Sequence, residues 1–348
     1  MTTQDRKNLI AKLEGKLSAK VLVLVTGDRQ GMETRIAPDL LPLISEHLSC
    51  MGATENLALF IYTPGGDTIA GWGLVNLLRQ YCKNLKVLVP FRALSCGTLI
   101  ALGADEIIMG RHGFLSPVDP SVASPFNPSA PGNPQLGRIS LLPVSVEDMT
   151  GFLDLSRKEI GLKSDESMVE VLKILAEKVH PLALGAVYRA REQTSDLAKR
   201  LLSNHSDNGK YEGKIDKIVR QLTQELPTHN YLIGRSESKK IGLDIIEPSE
   251  EIEQLMWDLY KEYEKWLLLT SPASSELDLG TVDNKTVEYE RAAVESLHDG
   301  NLIQHVFTTK KALLRMRGTP PGMQQPIDQI MERAIYEGWI PQKDGVVI

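Results

Sequence analysis

An α/β protein built on a parallel sheet is what this sequence predicts, and three observations predict it. Short apolar runs rich in Val, Ile and Leu occupy 20–27, 57–62, 85–89 and 107–109, the pattern of strands buried on both faces. Helical patterns at 38–48, 67–81 and 98–104 lie between them, and such alternation implies parallel pairing with right-handed crossovers. Two strand ends run directly into turns of small residues, Thr63-Pro64-Gly65-Gly66-Asp67 and Ala93-Leu94-Ser95-Cys96-Gly97-Thr98.

Taken in order, 8–17 reads as a short amphipathic helix ahead of the first strand. Pro38 suits a helix start, with Leu40, Leu41, Leu43, Ile44 and Leu48 at helical spacing. The second strand enters the Pro-Gly-Gly turn, where paired glycines allow unusual dihedrals and close approach of a ligand to the backbone. The third strand delivers Ser95 to a helix start, where backbone N–H groups point outward and the dipole favours negative charge. Two such turns on neighbouring strands would set the Gly66 and Cys96 N–H groups on either side of Ser95. An ordinary N-cap serine satisfies the same local pattern, and Pro-Gly-Gly alone describes many loops.

The segment 113–138 changes character, with five prolines from Pro117 to Pro131 among serines, glycines and asparagines. It cannot be a helix or a central strand; a specificity loop and a surface insertion are the two readings. Helical patterns follow at 146–157, 164–179, 186–202, 215–226 and 236–241. Beyond 248, an amphipathic helix with Trp257, Tyr263 and Trp266 spans 251–269. Residues 287–294 and 304–309 pair as a hairpin around His298-Asp299-Gly300-Asn301, and a closing helix is expected over 327–336. The expected division is 1–247 as the main domain and 248–348 as an appended α+β subdomain for oligomerisation or partner contact.

Composition narrows the function classes. The 348 residues carry a net charge of -6 with dispersed basic residues, which argues against a nucleic-acid groove. Cys50, Cys82 and Cys96 fit neither a disulfide framework nor a zinc site, and a reduced, cytoplasmic setting is expected. The polar start, Met1 to Lys7, lacks a signal-peptide core, and no apolar run is long enough to cross a bilayer.

The sequence resembles the serine dehydrogenase proteinase group. Four motifs carry the likeness: Thr63-Pro64-Gly65-Gly66, Ala93-Leu94-Ser95-Cys96-Gly97-Thr98, Ala104-Asp105-Glu106-Ile107 and Leu115-Ser116-Pro117-Val118-Asp119-Pro120. That group belongs to the Clp-fold serine peptidases, related to signal peptide peptidase A and the Clp proteolytic subunit. The resemblance implies a Clp/crotonase-like spiral of ββα units. It also implies Ser95 as nucleophile, the Gly66 and Cys96 N–H groups as the oxyanion hole with Gly65 beside them, and no metal or organic cofactor. A peptide or protein substrate and a homo-oligomer follow from the same likeness, with any unfoldase partner unspecified.

Ser95 needs a base within hydrogen-bond reach. The Clp proteolytic subunit supplies a histidine some two dozen residues after its serine, but here that neighbourhood holds Ser116 to Pro120. His112 falls short of it and reads as a surface residue. The likeness sets Asn230 at the triad's third position with His229 beside it, and His180 precedes Pro181 at a helix start. Lys158, Lys163, Lys173 and Lys178 offer the lysine solution of signal peptide peptidases. His229 is favoured over His180 and the lysines. Two rival readings stand beside the peptidase: an acyl-CoA-handling crotonase relative, which would not need Ser95, and an inert binding scaffold.

Overall fold

The computed structural model describes residues 3–118, 121–122, 125–128, 142, 144–205, 209–226, 228, 230–318 and 327–347. The fold is α/β. The chain divides into two units: Met1–Leu115, Gly234–Lys239 and Asp244–Ile348 form the first, and Ser116–Ile233 with Lys240–Leu243 the second.

In the first unit the chain runs α1 (Thr3–Leu17), β1 (Lys20–Thr26), α2 (Leu40–Met51), β2 (Thr54–Tyr62), α3 (Thr68–Arg79), β3 (Cys82–Val89), α4 (Cys96–Leu102) and β4 (Glu106–Met109). Each strand run expected from the apolar pattern is present. Val21 to Thr26 are all buried because both faces of β1 are covered. Val21, Val23 and Val25 join Phe60 and Tyr62 in the core cluster with Ile10 and Leu13 of α1. Leu22 and Leu24, on the opposite face by strand alternation, are equally buried. Asp105, from the third motif, ties this face together: it pairs with Arg79 of α3 at 3.2 Å and accepts the Leu85 N–H at 2.8 Å.

The second unit holds the two-stranded pair β5 (Ser121–Val122) and β6 (Val144–Ser145), then α5 (Val146–Asp154), α6 (Asp165–Lys178), α7 (Pro181–Ser203) and α8 (Ile215–Arg220). Pro181 opens α7, where its missing N–H costs nothing. Ala183, Val187, Leu197, Leu201, Ile218 and Leu222 are among its buried residues from α7 onward. The proline-rich stretch lies largely outside the described residues.

The chain continues through α9 (Arg235–Ile241), β7 (Ile245–Ile246), α10 (Glu250–Trp266), α11 (Ser275–Leu279), β8 (Asn284–His298), β9 (Asn301–Gly318), β10 (Ile327–Lys343) and β11 (Val346–Val347). Among the described residues, one nine-stranded sheet in the first unit has the order β11-β10-β9-β8-β1-β2-β3-β4-β7. The pairs from β1 through β4 to β7 are parallel, whereas β8 joins β1 antiparallel, with Leu22 opposite Ser296. The expected boundary at 247 therefore falls inside this sheet. The expected hairpin is present as β8 and β9, turning at Asp299 and Gly300.

The helix expected over 327–336 is instead strand β10, paired with β9 from Ile327 opposite Gly318 to Lys343 opposite Ile303. Ile327, Ile330, Met331 and Ala334 imitate helical spacing. The long partner strand overrides that local pattern, as sheet formation depends on neighbours more than on intrinsic preference.

Candidate active site

Parallel pairing continues past the strand ends, and that continuation builds the site. Beyond β1 and β2, Ile36 bridges Gly66; beyond β2 and β3, Thr63 bridges Ala93; beyond β3 and β4, Arg92 bridges Phe114. The Thr63 N–H donates to the Arg92 carbonyl at 2.9 Å, the Leu94 N–H to the Thr63 carbonyl at 3.1 Å, and the Ala93 N–H to the Phe114 carbonyl at 2.9 Å. Ser95 is thus delivered at the carboxyl edge of a parallel sheet, where α/β folds place their ligand sites.

Ser95 caps α4 with φ 50° and ψ -111°. The positive φ is unfavourable for a residue with a Cβ, and this ψ lies far from the ordinary left-handed well. Its carbonyl accepts the Leu99 N–H at 3.0 Å, the first bond of the helix. The side chain, however, makes no capping bond, so the ordinary N-cap reading fails on geometry. A backbone distortion of about 1–3 kcal/mol persists only where the surroundings impose it.

The surroundings do impose it. A Cβ on Gly97 would stand 2.5 Å from Thr63 Cγ2, and a Cβ on Gly71 of α3 would stand 2.4 Å from Cys96 Sγ. Only glycine lets α4 approach this closely. Cys96 is fully buried and its thiol donates to the Asp67 carbonyl at 3.1 Å. Burial, reinforced by Asp67, pushes that thiol up to about 12, so Cys96 contributes packing and a backbone N–H and no thiolate.

The glycine turn faces Ser95 directly. Gly65 and Gly66 have φ 117° and 155°. A Cβ on Gly65 would meet the Ser95 Cβ at 2.8 Å, and one on Gly66 would meet the Ile36 carbonyl oxygen at 2.1 Å. Ile36 clamps the turn from outside, its N–H donating to the Gly65 carbonyl at 2.9 Å and its carbonyl accepting the Asp67 N–H at 2.8 Å. Asp67 then caps α3 by accepting the Ala70 N–H at 2.8 Å. The Gly65 N–H donates to Thr63 Oγ1 at 3.0 Å. Gly65 accordingly serves the turn by its missing side chain, its N–H being engaged. Among the described residues no hydrogen bond occupies the Gly66 or Cys96 N–H.

Behind the site, Asp28 accepts from Arg92 at 2.7 Å and from the Tyr62 hydroxyl at 2.6 Å. Burial, and then Asp28, raise the Tyr62 pKa, which keeps that phenol a neutral donor.

Ser95 belongs to the first unit and His180 to the second; His229 lies outside the described residues. His180 caps α7, its Nδ1 accepting the Leu182 N–H at 3.2 Å, with its ring stacked on Phe126 at 4.8 Å between centroids. A neutral ring that accepts at Nδ1 carries its proton on Nε2. Lys158 and Lys173 are exposed and pair with Asp154 and Glu170 on their own helical segments, while Lys163 and Lys178 are exposed. His112 is exposed beside Trp257, as expected of a surface residue. Two features escaped the sequence: the Thr26–Thr63 hydroxyl contact, and a buried chain in which His47 bridges Ser296 and His305.

Residues 48–182, which contain the glycine turn and Ser95, match the model of a family described as ClpP-like SDH-type serine proteinase. That segment is similar to this family. The four motifs fall within the matched residues, and the matched family is the group that they resemble. The uncharacterized protein MJ0137 of Methanocaldococcus jannaschii is 31% identical over 206 residues, covering 59% of this chain and 58% of that protein. MJ1495, also uncharacterized and from the same organism, is 28% identical over 187 residues, covering 54% of this chain and 51% of that protein. The chain spans a little over half the length of these curated relatives. Among solved structures, the membrane-bound stomatin-specific protease 1510-N aligns at 16% identity and TM-score 0.36, covering 68% of this chain and 85% of that one. ClpP1 from Listeria monocytogenes aligns at 15% identity and TM-score 0.32, covering 69% and 99%.

Proposed function

We propose that this protein is a serine peptidase that cleaves peptide bonds through an acyl-Ser95 intermediate. The observation that carries the reading is Ser95 itself: a strained residue at a helix start whose hydroxyl does not cap the helix, set against a side-chain-free Gly65. In the proposed reaction Ser95 Oγ attacks the scissile carbonyl and passes its proton to a base. The resulting oxyanion takes hydrogen bonds from the Gly66 and Cys96 N–H groups, an effect of about 3–4 kcal/mol per donor in comparable sites. Collapse expels the amine, which leaves with the proton from the base. Water, activated by the same base, then releases the acyl group and restores Ser95.

His229 is the favoured base. The Nδ1 acceptor role of His180 leaves its other nitrogen protonated in the neutral ring, which weighs against it. In the test, His229→Gln abolishes acylation and His180→Gln leaves it largely intact, with activity in the parent protein rising near pH 6–7. Activity retained in His229→Gln with a more alkaline limb would move the role to a lysine such as Lys158 or Lys163.

Assembly is part of the same proposal. Residues 248–348 are assigned to oligomerisation or partner contact, with Met331, Ile335 and Tyr336 exposed on β10. A closed homo-oligomer by light scattering is the expected result, and a clean monomer at micromolar concentration contradicts it. No helix among the described residues is long and apolar enough to cross a membrane; a cytoplasmic location is proposed.

A further inference from the structure

Thr63 touches both turns of the candidate site, and its hydroxyl has no packing reason to be there. The side chain is fully buried, as is Thr26 at the end of β1. Burying two hydroxyls costs free energy that two valines of the same shape would avoid. Their hydrogen bonds show what they hold. Thr26 Oγ1 donates to Thr63 Oγ1 at 2.6 Å, the Gly65 N–H donates to Thr63 Oγ1 at 3.0 Å, and Thr63 Oγ1 donates to the Gly65 carbonyl at 3.3 Å. One oxygen thus accepts two bonds and donates one, the full capacity of a hydroxyl.

The rest of Thr63 grips the other turn. Its carbonyl accepts the Leu94 N–H, its N–H donates to the Arg92 carbonyl, and its Cγ2 lies where a Cβ on Gly97 would be 2.5 Å away. The hydroxyl therefore fixes Gly65-Gly66, while the main chain and methyl fix the Leu94–Gly97 turn.

We propose that Thr63, braced by Thr26, is a positioning residue that sets the separation between the Gly66 and Cys96 N–H groups. This rests on the acyl-Ser95 reading. Neither threonine touches the reacting atoms; each acts through the backbone of the glycine turn. A shift of about 1 Å in such a donor lowers a rate on the order of a hundredfold, so the pair governs the chemical step and not the encounter with substrate.

The test is the inactivation kinetics of the full-length protein by a fluorophosphonate, resolved into a binding constant and a maximal rate. Thr63→Val keeps the shape and removes the hydroxyl; its maximal rate should fall about a hundredfold with the binding constant unchanged. Thr63→Ser, which restores the hydroxyl, should recover most of the loss, and Thr26→Val should fall between them. A Thr63→Val protein inactivated at the parent rate, or a loss that Thr63→Ser does not rescue, overturns the proposal. If the parent protein is not acylated at all, it is the acyl-Ser95 reading that fails. Amide hydrogen exchange of Gly65 then judges Thr63 alone: protection in the parent and Thr63→Ser that disappears in Thr63→Val supports the brace, and unchanged protection overturns it.

Discussion

The α-carbon of Gly65 lies against the side chain of Ser95, so close that a Cβ there would sit 2.8 Å from Ser95 Cβ and 3.3 Å from Oγ. The glycine turn and the serine turn are consequently a single object: neither can change without moving the other.

Gly65→Ala should remove acylation while leaving the protein folded. The new methyl group needs the space that Ser95 occupies, at a backbone φ of 117° that also disfavours it. A stability loss of about 1–3 kcal/mol is expected, with acylation reduced at least a hundredfold. Parent-like labelling of Gly65→Ala would contradict the contact.

Ser95→Gly and Ser95→Ala should both abolish labelling but differ in stability. Glycine adopts φ 50°, ψ -111° without the Cβ penalty that serine and alanine share. Urea denaturation should therefore find Ser95→Gly more stable than Ser95→Ala by about 1 kcal/mol, with Ser95→Ala close to the parent. Equal midpoints for the two variants would mean that the turn stores no strain.

Thiol chemistry should discriminate the cysteines. Cys50 is exposed, whereas Cys96 is buried and its thiol is pushed up to about 12. Brief alkylation at neutral pH should modify Cys50 and spare Cys96 until the protein is unfolded, as mapped by peptide mass spectrometry. Rapid native alkylation of Cys96 would show α4 to be more open than its packing against Gly71 allows.

Acid should destabilise the protein partly through His47. Its Nδ1 is 2.6 Å from Ser296 Oγ, its Nε2 is 3.0 Å from His305 Nδ1, and His305 Nε2 is 3.3 Å from Glu46. Burial first, and His305 second, lower His47 to about 3; burial also lowers His305, outweighing the opposite pull of Glu46. A folded-state pKa below the unfolded 6.5 means that the unfolded chain binds the extra protons. Stability is then complete above about pH 6.5 and declines as pH falls toward 3. Between pH 6.5 and 5 the urea midpoint should fall more steeply for the parent than for His47→Gln. Parallel profiles would remove His47 from the account.

Much of this was legible in the sequence, for physical reasons that differ by element. Strands buried on both faces advertise themselves as unbroken apolar runs, and the two turns combine glycines with a lone hydroxyl at strand ends. The helix expected over 327–336 failed because its pattern satisfies a helix locally while β9 supplies a long partner. The place of β8 beside β1 is a pairing between distant parts of the chain, which local composition does not announce. The Gly65 N–H is engaged by Thr63 Oγ1, a bond that the Pro-Gly-Gly pattern alone does not announce. The Thr26–Thr63 contact joins the end of β1 to the turn after β2, and nothing in either neighbourhood announces the other. His180 spends its Nδ1 on the Leu182 N–H of its own helix, a capping role that the His-Pro dipeptide at a helix start does suggest.

The most direct measurement is fluorophosphonate labelling of the full-length, folded protein, with the adduct located by peptide mass spectrometry and Ser95→Ala as control. An adduct on Ser95, absent from Ser95→Ala, is the predicted result. A folded, assembled sample that remains unlabelled, or an adduct on another residue that persists in Ser95→Ala, would contradict the claim that this strained serine is a nucleophile.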